Sequence, residues 1–457
     1  MTIKTYHICE FGTICKQGDL FNKDGSYSSE NVVCLEEKKF RSFREFILKS
    51  QNPDILNTPI FSLFSKNGHE RIKVGQHVGV IETPSAIRLE ILPKVYLKDT
   101  DESVIKTKKI FLKMLRCLKD SPFKNLSSAH LDALPDFPIL EVFISTFVKE
   151  CESLLKKSIR SDYVLVEENL NFVRGILLVH QNIKYNFINK MKFYCEFSEF
   201  IINTPQNRVL KTTLLKLLGK TRNRKNFNLL NRLILDFDSV DTSTDILKDL
   251  IDSKKICNDN NLYLPYKNIM VWCEVFLTNK SFVNFSGGAL NTAMLFPMWR
   301  IFQDYVTSVF RKHAKGYIVK TGDHSCFLID DHNGSPYSQI KPDLVLIGGA
   351  ENESKRFIID AKWKLINQKE SGKKIRCKYK IESSDLYQIF AYGKKYPSIK
   401  GDEPPRLVLL YPSSQDFNQN LNHFLYEDGL RLDVVPFDLD GDPNIQVEKI
   451  LELLKQP

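Results

Sequence analysis

The sequence predicts an α+β protein of several domains. A β-rich amino-terminal module is expected over residues 1–100, a mixed, largely helical middle region over 101–285, and an α/β domain over 286–457. Three observations predict this. A chain of 457 residues exceeds what one hydrophobic core usually serves. Hydrophobic content of 42% and charged content of 26% are ordinary for folded chains and exclude wholesale disorder. The apolar pattern also changes period along the chain, from alternation to helical spacing and then to a mixture of both.

The first hundred residues read as short strands and turns. Apolar segments at Tyr6–Ile8, Val32–Leu35 and Ile60–Phe64 are separated by turn-rich pieces such as Lys23-Asp24-Gly25-Ser26. Ile72–Val80 and the alternating Ile87-Arg88-Leu89-Glu90-Ile91, which continues to Val95, complete the module. Helical spacing takes over over Val104–Leu118 and Pro138–Ile159, with the polar connector Asp120–Asp136 between them. Asp162–Phe200 returns to alternation, with Arg174-Gly175 as a turn. Thr204-Pro205 then reads as a cap and first turn of a helix. Further helices are expected over Phe227–Phe237, Asp245–Ile256 and Tyr266–Leu277, and Asn284-Phe285-Ser286-Gly287-Gly288 reads as a hinge.

Beyond the hinge, Pro297–His313 is a helical pattern that aims Trp299, Phe302, Val306 and Phe310 at a core. Strands follow at Gly316–Lys320 and Cys326–Asp330. The stretch from Ile340 to Tyr392 then concentrates the chemistry. Lys341-Pro342-Asp343 opens an apolar run, Leu344–Ile347; a polar turn, Gly348–Ser354, leads to a second run, Phe357–Ile359, and to Asp360-Ala361-Lys362. Such a pattern is a β-hairpin that brings two carboxylates and an ammonium to neighbouring points on adjacent strands. A basic linker separates it from the helix Ser384–Lys395, which carries Gln388 and Tyr392. Strands at Arg406–Leu410 and Leu430–Val435 and a helix at Asn444–Lys455 end the chain.

The order Asp, then Asp-x-Lys, then a helical Gln-x-x-x-Tyr resembles the PD-(D/E)xK class of metal-dependent nucleases. Within that class the chain resembles the McrC family, the nuclease subunits of McrBC-type restriction systems. Two distant patches carry the same resemblance: Val78-Gly79-Val80-Ile81 with Glu90-Ile91-Leu92-Pro93-Lys94, and Arg174-Gly175 followed by Glu196 and by Pro205-Gln206-Asn207-Arg208-Val209-Leu210-Lys211. The resemblance implies a DNA endonuclease that works in complex with a GTP-hydrolysing McrB-type AAA+ hexamer and stimulates its hydrolysis. The middle region, with its Pro-x-Asn-Arg segment, would dock into that ring. It further implies a double-stranded DNA substrate, no membrane, a bacterial or archaeal cytoplasm, and GTP bound by the partner rather than by this chain.

Phosphodiester hydrolysis needs charge stabilisation and a hydroxide-like nucleophile near neutral pH, and one or two Mg²⁺ ions supply both. Mg²⁺ takes oxygen ligands and keeps several waters, so Asp343, Asp360 and the Ala361 carbonyl suffice as protein ligands. Lys362 points to the same face as Asp360 and is expected to orient or help deprotonate the attacking water. Gln388 is placed to hold that water or a base edge. McrC-like chains usually offer a Glu from the first helix of the core; here the position is Gln303. Asp304 lies about 100° further round the helix.

Charge agrees with a polyanionic substrate. The net formal charge is +10, and between Lys355 and Lys400 thirteen basic residues face four acidic ones. Other motifs read as structural. Gly219-Lys220-Thr221 lacks the upstream glycine of a phosphate loop, because Leu214 stands there. Asp330-Asp331-His332-Asn333-Gly334 is first a hairpin turn. His7, Cys9 and Cys15 lack zinc-finger spacing, and Tyr379 is a candidate for stacking on a base. Ten cysteines without a C-x-x-C pair suit a reducing compartment. Two other readings remain open from sequence: a non-cleaving activator of the GTPase ring, and a stand-alone nuclease such as a repair enzyme.

Overall fold

The structure is a computed structural model that describes residues 4–19, 31–50, 60–83, 87–95, 101–119, 121–126, 138–157, 159–278, 292–348, 355–370, 378–396, 404–426 and 429–455. The turn at Lys23–Ser26, most of the connector 120–136, the hinge at Asn284–Gly288, residues 349–354 of the hairpin turn and residues 371–377 of the basic linker lie outside the described residues. The chain divides into two compact units, one of residues 1–136, 282–291 and 295–457, the other of 137–281 and 292–294.

The first unit begins with β1 (Lys4–Cys9), β2 (Thr13–Lys16), β3 (Val32–Leu35), α1 (Glu37–Ser50), β4 (Phe61–Lys66), β5 (His69–Val74), β6 (His77–Glu82), β7 (Ile87–Leu92) and α2 (Asp101–Leu115). Strands β3-β2-β5-β4 form one sheet, and β1-β7-β6 join the later β11 (Thr292–Pro297) in another. Every residue of β6 and β7 is buried. Helix α1 was not apparent in the strand-like pattern, yet Phe40, Phe43 and Ile47 recur at helical spacing and are buried.

The second unit contains α3 (Ile139–Leu155), β8 (Asp162–Leu170), β9 (Ile176–Leu177), α4 (Val179–Asn186), β10 (Phe193–Ile201), α5 (Pro205–Leu218), α6 (Arg224–Asp236), α7 (Ile246–Asp259) and α8 (Leu264–Thr278). Strands β8-β10-β9 form an antiparallel sheet beside a helical cluster. The alternating region thus holds a short helix, α4, between its strands. Thr204 precedes α5 as expected, but its side chain makes no capping hydrogen bond.

The first unit resumes with β11, α9 (Met298–His313), β12 (Ile318–Thr321), β13 (Phe327–His332), β14 (Ser335–Gln339), β15 (Leu344–Ile347), β16 (Arg356–Ala361), α10 (Ser383–Lys395), β17 (Arg406–Pro412), β18 (Phe424–Leu425), β19 (Arg431–Phe437) and α11 (Pro443–Lys455). A six-stranded mixed sheet runs β12-β15-β16-β17-β19-β18. On one face Val345, Ile358, Leu409 and Val434 share a cluster with Ile389 and Tyr392 of α10. Phe302 of α9 meets Phe437 at 6.2 Å between ring centroids. Cover from helices explains why β15, β16 and β17 read as continuous apolar runs. Trp299 departs from expectation: it is 48% exposed, whereas Phe302, Val306 and Phe310 are fully buried.

Candidate active site

Strands β15 and β16 pair antiparallel with Leu344 opposite Ile359. One step further along that register, Asp343 and Asp360 face each other at the end of the ladder. Both are buried. Asp343 Oδ2 accepts a hydrogen bond of 2.7 Å from the Ala361 N–H, and its Oδ1 accepts one from Gln303 Nε2. Lys362 stands just past the end of β16, where its N–H still bonds to Leu410 O at 2.8 Å. Its ammonium lies 2.6 Å from Asp360 Oδ2.

Helix α10 fixes that ammonium from the other side. Lys362 Nζ donates to Gln388 Oε1 at 2.6 Å, Gln388 Nε2 donates to Tyr392 Oη at 2.7 Å, and Tyr392 donates to Lys341 O at 3.2 Å. Gln388 and Tyr392 are four residues apart and so share one helix face. The chain of bonds returns to the hairpin two residues before Asp343. A second tie was missed from sequence. Lys364 Nζ donates to both oxygens of Asp385, at 2.9 and 3.0 Å, and Tyr411 Oη of β17 donates to Asp385 Oδ2 at 2.9 Å. The signal existed in the sequence, since Lys364 continues the period-2 pattern of Asp360 and Lys362.

Burial and the facing Asp360 push the Asp343 carboxyl up, to about 8. Burial likewise raises Asp360, against the pull of Lys362. Two buried carboxylates that resist ionising side by side, with one ammonium to offset them, form a donor set short of positive charge. Hard oxygen donors in that state suit a divalent cation such as Mg²⁺. The residues therefore fit one ion. Among the described residues no third Asp, Glu, His or Cys completes a three-residue metal cluster. Gln303 occupies the place beside Asp343, while Asp304 turns away and accepts from the Lys119 N–H at 3.3 Å.

The sequence matches the family model "McrBC 5-methylcytosine restriction system component" over residues 72–412. The chain belongs to this McrBC family. No curated protein matches it. Among solved structures, a chain of the Thermococcus gammatolerans assembly described as McrB AAA+ hexamers with bound McrC is similar. It has 18% identity, covers 99% of this chain and 100% of that one, and has a TM-score of 0.65, which shows a shared fold. A chain of the cryo-EM McrBC complex of the same organism also has 18% identity, over 68% of this chain and 88% of that one, with a TM-score of 0.44.

Several residues singled out for McrBC chemistry turn out to be architectural. In the Pro-x-Asn-Arg segment, Asn207 bonds to Arg160 O and Ile202 O, at 2.9 and 2.7 Å, and Arg208 grips Asp249 through two bonds of 3.1 and 2.7 Å. Lys211 Nζ donates to Asp238 O and Val240 O. These side chains hold the second unit together internally. Tyr379 is half-buried and packs edge-on against Phe424 at 6.2 Å. Asn333 and Gly334, both with positive φ, form the turn of the β13–β14 hairpin, and Asp331 accepts from the Gly334 N–H. Leu214 lies within α5, and Thr221 donates to Glu141 Oε2 at 2.7 Å.

Proposed function

We propose that this chain is the nuclease subunit of an McrBC-type assembly and hydrolyses phosphodiesters of double-stranded DNA with Mg²⁺, in complex with a GTP-hydrolysing McrB-type AAA+ ring whose hydrolysis it stimulates. The observation that carries this reading is the buried pair Asp343 and Asp360 with the Lys362 ammonium 2.6 Å from Asp360. A bound Mg²⁺ would polarise the phosphoryl oxygen and lower the pKa of a coordinated water. The chain's own residues do the rest. Asp343, Asp360 and the Ala361 carbonyl would hold the ion, and Gln303 orients Asp343. Lys362, held by Gln388 and Tyr392, presents its positive charge to the scissile phosphate or the attacking water. Because these donors are fixed before substrate arrives, little reorganisation opposes the reaction.

Partner docking draws support from the second unit. Its sheet exposes Tyr163, Leu165 and Phe200, and the segments that join its elements expose Phe172, Ile188 and Met191, each more than half exposed. Apolar side chains clustered in sequence and left open on one small sheet mark an interaction surface. None of the described cysteines forms a disulfide, and no helix among the described residues is long and apolar enough to cross a membrane.

The test is DNA cleavage by the purified chain with Mg²⁺, alone and with the GTPase partner plus GTP, comparing wild type with Asp360→Ala. Cleavage that needs partner and GTP and vanishes in the variant supports the reading. Stimulated GTP hydrolysis without any cutting would make the chain a non-cleaving activator, and cutting without a partner would make it a stand-alone enzyme.

A further inference from the structure

The amino-terminal module reaches the strand that carries the site. Glu10, at the end of β1, is 1% exposed, and its Oε1 accepts from Trp363 Nε1 at 2.5 Å and from the Lys94 N–H at 3.2 Å. Lys94 Nζ donates to the Trp363 carbonyl at 3.3 Å and also lies 4.8 Å from the Phe11 ring centroid. Phe302 packs on the indole at 5.2 Å. Trp363 is thus held at its indole and at its backbone by two residues more than 260 positions away in sequence.

This grip matters because of where Trp363 stands. It lies between Lys362, bound to Asp360 and Gln388, and Lys364, bound to Asp385 and Glu382. The stretch from Lys362 onward has left the β-ladder, so among the described residues the Lys362 N–H to Leu410 O bond alone ties the backbone of Lys362 and Trp363 to β17. A lysine on a strand end would fray without a second anchor. Burying a carboxylate is costly unless its partners are specific, and among the described residues Glu10 Oε2 accepts no hydrogen bond. A carboxylate kept under those conditions, aimed at one indole, is placed for position.

We infer that Glu10, assisted by Lys94, is a positioning residue for Lys362: it clamps Trp363, fixes the ammonium over Asp360, and makes the amino-terminal module an integral part of the active centre. This rests on the nuclease reading only for its effect on rate. The clamp itself is measurable without any cleavage.

The experiment compares wild type, Glu10→Ala, Glu10→Gln and Trp363→Phe, using amide hydrogen exchange of the full chain and steady-state cleavage of duplex DNA by the complex with its GTPase partner, GTP and Mg²⁺. Glu10→Ala is expected to speed exchange of the Lys362 and Lys364 amides at least about tenfold while core amides of β16 and β17 stay protected. It should lower kcat by about 10- to 100-fold with KM for DNA nearly unchanged, the scale of a misplacement of about 1 Å. Glu10→Gln keeps an oxygen for the indole and should recover most of both effects; Trp363→Phe removes the N–H donor with part of the ring and should reproduce the loss. Unchanged exchange at 362–364 in Glu10→Ala and Trp363→Phe overturns the inference, as does exchange that rises equally across the whole domain. If Glu10→Ala fails to fold, Trp363→Phe decides by the same criteria. Absence of cleavage in the wild type would fail the nuclease reading, and the exchange comparison would still decide the clamp.

Discussion

Gln303 sets how much negative charge the site carries. An amide beside Asp343 donates to it, whereas a carboxylate there would repel it and add a hard oxygen ligand. Gln303→Glu is therefore expected to lower the melting temperature without divalent ions and to tighten Mg²⁺ binding, read by thermal melts and titration calorimetry. Glu10 gives a pH prediction. Burial, opposed by Lys94 and by the Trp363 and Lys94 N–H bonds, raises its pKa from 4.5 to about 7. The folded chain then holds a proton that the unfolded chain releases, so Glu10's contribution to stability is present below about pH 4.5 and is lost as pH rises through about 7. Glu10→Gln should flatten that decline, worth at most about 3 kcal/mol, in urea melts at pH 5 and pH 8.

At the scale of elements, two glycines test how α10 and the β8–β10 sheet are held. A Cβ on Gly393 would approach Leu407 and Leu430 side chains at 3.0 Å, so the helix carrying Gln388 sits as close to β17 as those leucines allow. Gly393→Val should cost about 1–3 kcal/mol in denaturant melts. Gly175 has φ +68° and a Cβ there would meet Glu196 O at 2.3 Å. Gly175→Ala is expected to destabilise the second unit, measured by its melting, and to weaken partner binding. The hairpin, the Gln helix and the closing strands were legible because two-residue and 3.6-residue periods are local properties of sequence. Helix α1 hid in a region dominated by strands, although Phe40, Phe43 and Ile47 marked it. The roles of Glu10 and Lys94 were invisible for a different reason: they depend on tertiary neighbours far away in sequence, which no local spacing encodes. The bonds that Asn207 makes to Arg160 O and Arg208 makes to Asp249 were out of reach of sequence for the same reason.

Over the whole molecule, the clamp at Trp363 argues against treating residues 286–457 as a self-sufficient enzyme. A fragment of those residues would leave the Trp363 indole without Glu10 and its carbonyl without Lys94. Charge works at the same scale. The excess of basic residues between Lys355 and Lys400 would draw a polyanion by long-range attraction, although Lys362, Lys364, Lys380 and Lys395 are also engaged in ion pairs. DNA affinity should accordingly fall steeply with added salt. The most direct measurement of the central claim is DNA cleavage by the assembled complex containing Lys362→Ala or Asp360→Asn, with GTP hydrolysis by the partner followed in the same reaction. The account predicts cleavage reduced by at least about 100-fold while GTP hydrolysis continues at the wild-type rate. Cleavage that persists in both variants would contradict it.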